Sequence, residues 1–167
     1  MRFTNLRIIE ISRIAKRHHK WVASMGWHNR TSLEALAMIG SEMGEAAIEI
    51  SLSGVTNKFK HELADIVLRC IDFTESLGID LESRILPPTT SLVAYVSLER
   101  SFLDLIGLLA MAVNAARTSD EDLLGDYLVE IIAKSFEIGE RQGIDLIESI
   151  SEKIEINVAR GSRGRVI

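Results

Sequence analysis

Residues 62–85, ELADIVLRCIDFTESLGIDLESRI, are laid over again by residues 127–150, YLVEIIAKSFEIGERQGIDLIESI, when the chain is shifted by 65 positions. Eight of these 24 positions are identical. Gly-Ile-Asp-Leu recurs at 78–81 and 143–146, and Asp65/Glu130, Arg69/Lys134 and Asp72/Glu137 keep their charge. In the first copy Phe59, Leu63, Ile66, Cys70, Phe73 and Leu77 fall on one face of a helix that stops at Gly78, a residue free to adopt the left-handed turn that closes helices. A shift of 67 lays Ile39-Gly40 on Ile106-Gly107, so the preceding helix has a counterpart too. The pattern predicts an all-α bundle of about six helices, a helical hairpin duplicated and fused into a pseudo-dimer with a degenerate second copy.

Working outward, Leu6, Ile9, Ile14 and Trp21 predict a first helix over 3–24, ended near Gly26. Thr31 or Ser32 caps a second, whose stripe is Leu36, Ile39, Met43, Ala47 and Ile50 and which runs to Ser53-Gly54. The third starts near Lys58. Pro87-Pro88 cannot continue a helix, so residues 87–91 read as a linker between a first repeat, 1–86, and a second, 92–160. Helices follow at about 97–117, 121–142 and 146–159, and residues 161–167 form a basic tail.

The 167 residues suit one domain. With 47% hydrophobic and 26% charged residues a real core is expected, and 5% aromatics with two prolines favour helices over sheets. A formal net charge of −5 repels polyanions, which argues against a nucleic-acid polymer as partner. The longest apolar stretch, Leu105–Val113, is too short to span a membrane, and the N-terminus lacks a signal peptide's apolar block. Cys70 is the only cysteine and sits in an apolar helical pattern, as expected of a core residue in the reducing cytoplasm.

The chemistry is in the acids. Glu42-x-x-Glu45 lies on the second helix and Glu62-x-x-Asp65 on the third, and a spacing of three puts each pair on one side of its helix. Glu42 and Glu62 lie nearest the apolar stripes. Packed antiparallel, the two helices would gather four carboxylates whose repulsion calls for protons or a cation. All-oxygen ligands select hard ions, Mg²⁺ first and Mn²⁺ as a substitute. Most such glutamates are solvated surface acids. The second copy, however, carries Leu109, Ala112 and Tyr127 where the first has Glu42, Glu45 and Glu62, so the hairpin does not need the acids to fold.

These words resemble the MazG-like all-α nucleoside triphosphate pyrophosphatases. Ile39-Gly40-Ser41-Glu42-Met43-Gly44-Glu45-Ala46 is similar to the family's "EExGEL" segment, and Glu62-Leu63-Ala64-Asp65-Ile66-Val67 to its "ELADVL". Trp27-His28-Asn29-Arg30-Thr31-Ser32-Leu33 is similar to the lead-in of members acting on deoxynucleotides, and Lys153-x-x-x-Asn157-x-x-Arg160 resembles the family's phosphate-gripping K-x-x-x-N-x-x-R. The small fused duplication also resembles phage members, including the MazZ type that acts on guanine nucleotides. Two departures stand out. Ser41 replaces the first acid of the doubled pair, and the K/N/R element follows the second copy instead of the first.

The resemblance implies hydrolysis of a free (d)NTP between the α and β phosphates to (d)NMP and diphosphate. Glu42, Glu45, Glu62 and Asp65 would hold two or more Mg²⁺ ions, one acid accepting the water's proton, while Lys153, Asn157 and Arg160 grip phosphate, within a chain or between chains. Lys58, Lys60 and Arg69 are the fallback for that grip. Trp21, Trp27, His28 and Asn29 are the candidates for stacking on the base and reading its edge, with core packing the alternative for both tryptophans. His18 and His19 read as surface residues. The rival reading is a non-catalytic module. The helix with Phe102, Leu103, Leu105, Ile106, Leu108, Leu109, Met111 and Val113 is apolar nearly all round, which predicts burial in the pseudo-dimer and in a homo-oligomer, dimer or tetramer.

Overall fold

Side chains start the helices close to where the sequence leads one to expect. Thr31 accepts the Glu34 N–H at 3.1 Å while Glu34 accepts the Thr31 N–H at 3.1 Å, a reciprocal pair that satisfies two otherwise orphaned donors. Thr56, Ser97, Asp120 and Asp145 cap later helices one way, each side chain accepting a first-turn N–H. A computed structural model describes residues 5–27, 31–84 and 97–161. They form α1 (Asn5–Ser24), α2 (Ser32–Ser53), α3 (Asn57–Ser76), α4 (Leu81–Arg84), α5 (Leu98–Arg117), α6 (Glu121–Arg141) and α7 (Leu146–Arg160), and among the described residues there is no strand. The fold is an all-α bundle.

α3 stands at its centre. α1, α2, α6 and α7 all pack on it, while α5 packs on α2 and α6. One continuous core joins the halves, with Ile11, Leu36, Ile39, Phe59, Leu63, Ile66, Leu105, Leu124, Leu128 and Ile131 all but excluded from solvent. Burial of this kind is the main force holding amphipathic helices together. Cys70 belongs to the same core, as expected.

The sequence repeat has a backbone counterpart. Ile79 donates its N–H to Thr74 O at 2.9 Å and Gly78 to Glu75 O at 3.1 Å, and 65 residues on Ile144 donates to Gly139 O at 2.8 Å and Gly143 to Glu140 O at 3.2 Å. Both glycines have φ of +69°, where a Cβ would be strained. The chain then turns into α4 or α7 behind a buried leucine, Leu81 or Leu146. Each of these helices reaches the other hairpin, α4 meeting α6 and α7 lying on α3.

The described residues form seven helices, in line with a bundle of about six, because the Asp-Leu after each glycine restarts a helix and the short α4 is held by Arg84 bonding Asp122 and Asp126 of α6. Within one chain α5 is covered in part, with Phe102, Leu105 and Ala112 buried and Leu103, Ile106 and Met111 exposed. Pro87-Pro88 and the basic residues 162–165 lie outside the described residues. No helix among the described residues is long and apolar enough to cross a membrane.

Candidate functional site

α2 and α3 run side by side, and the acids flanking their apolar stripes meet at that seam. Glu42 and Glu62 are buried, Asp65 is largely so, and each offers a carboxylate oxygen within 4.8 Å of the others. Burial holds the Glu42 carboxyl above the usual carboxylate range, and the Asp65 charge adds to this while Arg69 opposes it. Burial raises Glu62 in the same way, with Lys153 pulling down and the neighbouring acids pushing up. Asp65 is raised by burial against the pull of its bond to Lys153. Glu45, one turn along α2, is exposed and outside this tight group, though it lines the same cavity. It lies on the solvent edge of the stripe, where Glu42 lies on the core edge.

Two cations reach the acids. Arg69 donates from Nε to Glu42 Oε1 at 3.0 Å, and Lys153 from Nζ to Asp65 Oδ2 at 2.6 Å. Lys153 arrives from α7, 88 positions from Asp65 in sequence, because α7 packs on α3. A second tie from α3 to α7 is Glu152, which bonds Lys60 at 3.0 Å and His61 at 2.9 Å. Asn157 and Arg160 follow Lys153 at one- and two-turn spacing and line the same cavity, so the K/N/R element meets the acids of its own chain. Of the fallback cations, Lys60 is paired with Glu152 and Lys58 lies 3.6 Å from Glu49, while Arg69 alone of the three lines the cavity.

This cavity encloses about 530 Å³. α1 also lines it, contributing His18, Trp21 and Val22, with Trp27 just beyond the helix end. Trp21 and Trp27 meet edge to face at 5.1 Å, and the His18 ring lies 5.7 Å from Trp21. His28 and Asn29 lie outside the described residues.

His18 is not the surface residue the sequence suggested. It is buried, its Nδ1 has no hydrogen-bond partner, and burial lowers its pKa to about 4, so the imidazole is neutral at pH 7. The signal was present in the spacing, because Ile11, Ile14, Ala15, His18 and Val22 form one inward stripe. His19 points elsewhere, with Nδ1 2.8 Å from Asp72 Oδ1 on α3, and Asp72 also lines the cavity. Arg69 and Asp72 were legible as the i+4 and i+7 neighbours of Asp65.

The second half has no such acids. Ala112 is fully buried, and Leu109 and Tyr127 pack against the core. Leu109 fits against Gly40 of α2, where an added Cβ would come within 3.2 Å of its Cδ2. The chain matches no family model, and comparison with curated proteins and with solved structures returns no match.

Proposed function

We propose that this chain is a divalent-metal-dependent nucleoside triphosphate pyrophosphohydrolase, converting a (d)NTP and water to (d)NMP and diphosphate. The observation that carries the reading is a single cavity joining three clustered carboxylates, three basic side chains (Arg69, Lys153 and Arg160) and a pair of indoles. Those are the three chemistries a nucleoside triphosphate presents in reverse: a polyanion needing cations, phosphate oxygens needing donors, and a flat base needing an aromatic face.

The donor set fits Mg²⁺ or Mn²⁺. Glu42, Glu62 and Asp65 are all-oxygen ligands whose burial makes uncompensated charge costly, so a hard cation relieves them, with Glu45 at the rim able to add a fourth carboxylate. When bound, the ion supplies Lewis acidity toward the phosphoryl oxygens. The chain's own residues do the rest. Glu62 makes no hydrogen bond or ion pair among the described residues and its carboxyl is held high, which suits it to take the proton of a water attacking Pα. As the Pα–O bond to the leaving group breaks, Arg160 and Lys153 receive the negative charge gathering on diphosphate, the Arg fork matching paired oxygens. Trp21 and Trp27, edge to face with ring centroids 5.1 Å apart, offer the base an aromatic corner, and His18 borders it. The exposed Leu103, Ile106 and Met111 on α5 support self-association of the chain as the accompanying proposal.

The test is pyrophosphate release from a panel of ribo- and deoxyribonucleotides, dGTP and GTP included, with Mg²⁺. Turnover of at least one, abolished by chelation and by Glu62→Gln, is the expected result. No turnover of any nucleotide leaves the interaction-module reading, which the exposed α5 stripe favours.

A further inference from the structure

Three buried or near-buried carboxylates are already partly answered before any metal arrives. Lys153 Nζ sits 2.6 Å from Asp65 Oδ2 with 11% of the lysine side chain and 14% of the aspartate exposed, and Arg69 holds Glu42 at 3.0 Å. An ammonium at hydrogen-bond distance from a candidate ligand atom stands in the place of a cation. Its charge repels any divalent ion entering the same small volume, in surroundings that screen it less than water does. Lys153 and Arg69 differ in freedom. Arg69 rises from α3 itself, one turn from Asp65, whereas Lys153 reaches in from α7 on a flexible four-carbon stem with three rotatable donors. The same helix presents Asn157 and Arg160 to the cavity.

Resting on the reading of Glu42, Glu62 and Asp65 as the metal site, we propose that Lys153 is a resident counter-ion that occupies Asp65 in the metal-free protein and is displaced by the incoming divalent cation. Displacement turns its ammonium from Asp65 toward the part of the cavity flanked by Asn157 and Arg160. A phosphate donor is therefore released by the event that readies the acids, and the metal-free protein keeps that donor engaged. The arrangement sets an order, cation first and phosphate grip second, without requiring a backbone rearrangement.

The experiment is calorimetric titration of Mn²⁺ alone, without nucleotide, into the full chain and into Lys153→Met and Lys153→Gln. Losing the competing charge should tighten Mn²⁺ binding on the order of tenfold in both variants. A lysine that merely props up the site would give the opposite, weaker binding on substitution. Equal or weaker Mn²⁺ affinity in the variants overturns the counter-ion role and leaves the metal site standing. Absence of Mn²⁺ binding in all three chains overturns both. Should the variants lose their helical signal, the unmodified chain decides the matter. The Lys153 ammonium resonance in ¹⁵N-lysine-labelled protein must shift on saturation with Mg²⁺, and a resonance that stays put refutes displacement.

Discussion

Arg69 and Glu42 pin α3 to α2 through a single Nε to Oε1 contact of 3.0 Å, and the carboxylate end of that contact is buried. Arg69→Met strands the acid. Leaving a buried carboxylate without its cation costs about 1–3 kcal/mol where the acid must ionise. In the variant the folded pKa of Glu42, already raised, rises further above its unfolded value. Stability from such a group is greatest below the unfolded pKa and is lost as pH rises through the folded one. Denaturant melts in chelator should show a deficit that is largest near pH 8 and narrows toward pH 5. A deficit independent of pH would mean that Arg69 acts by packing alone.

Glu62 differs in having no hydrogen-bonded partner among the described residues, and burial with the neighbouring acids raises its carboxyl against the weaker pull of Lys153 and Lys58. Glu62→Gln should raise the melting temperature of the metal-free chain at pH 7–8 and leave it unchanged below the ordinary carboxylate range, where the wild-type acid is protonated in both states. The same variant should lose turnover by a factor of at least a hundred, in the range general-base removal brings. Scanning calorimetry beside a pyrophosphate assay reads both effects.

His18 works in the other direction. With its pKa lowered to about 4 from 6.5, the imidazole favours folding while neutral and opposes it once the unfolded chain takes up a proton. The contribution is present above pH 6.5 and fades as pH falls toward 4. His18→Phe should therefore gain on the wild type by up to about 3 kcal/mol across that window. Chemical denaturation at pH 7, 5.5 and 4 measures the difference, which cancels the carboxylates common to both chains.

The aromatic and basic parts of the cavity wall should separate by substrate. Trp21→Ala removes a face for the base and should weaken nucleotide binding about tenfold while inorganic tripolyphosphate binds as before. Arg160→Ala should lower kcat/KM tenfold to a hundredfold with little change in melting, because Arg160 is exposed and its loss removes one charge-assisted contact of about 1.5–3 kcal/mol. Point substitution is the cleaner probe here than truncation within α7, which would strip Ile150 and Lys153 from the bundle they are buried in.

Most of the helix boundaries were legible because their signals are local. Thr31 with Glu34, and Gly78 with Gly143, act within a turn of themselves. The acid seam was legible too, since spacing alone sets Glu42 and Glu62 beside the stripes. The exposure of Glu45 is less legible, because a three-residue spacing specifies a side of the helix and not a depth, and one turn of drift carries it into solvent. The absence of further His or Cys at metal-site spacing suggests a surface place for His18, whereas its position in the Ile11–Val22 stripe turns it inward. Lys153 on Asp65 could not be read at all, because an ion pair 88 residues apart depends on which helix crosses which.

The centrality of α3 bears on motion. Glu62 and Asp65 ride on the helix against which four others are packed, while α1 rests on α3 and the short α4, and α7 chiefly on α3. Elements with few neighbours open at lower free energy than those at the centre. A ligand in the cavity would thus meet an anvil in α3 and two less deeply held walls in α1 and α7, and amide exchange should slow in α1 and α7 on loading while α3, expected to be the slowest throughout, stays as it was.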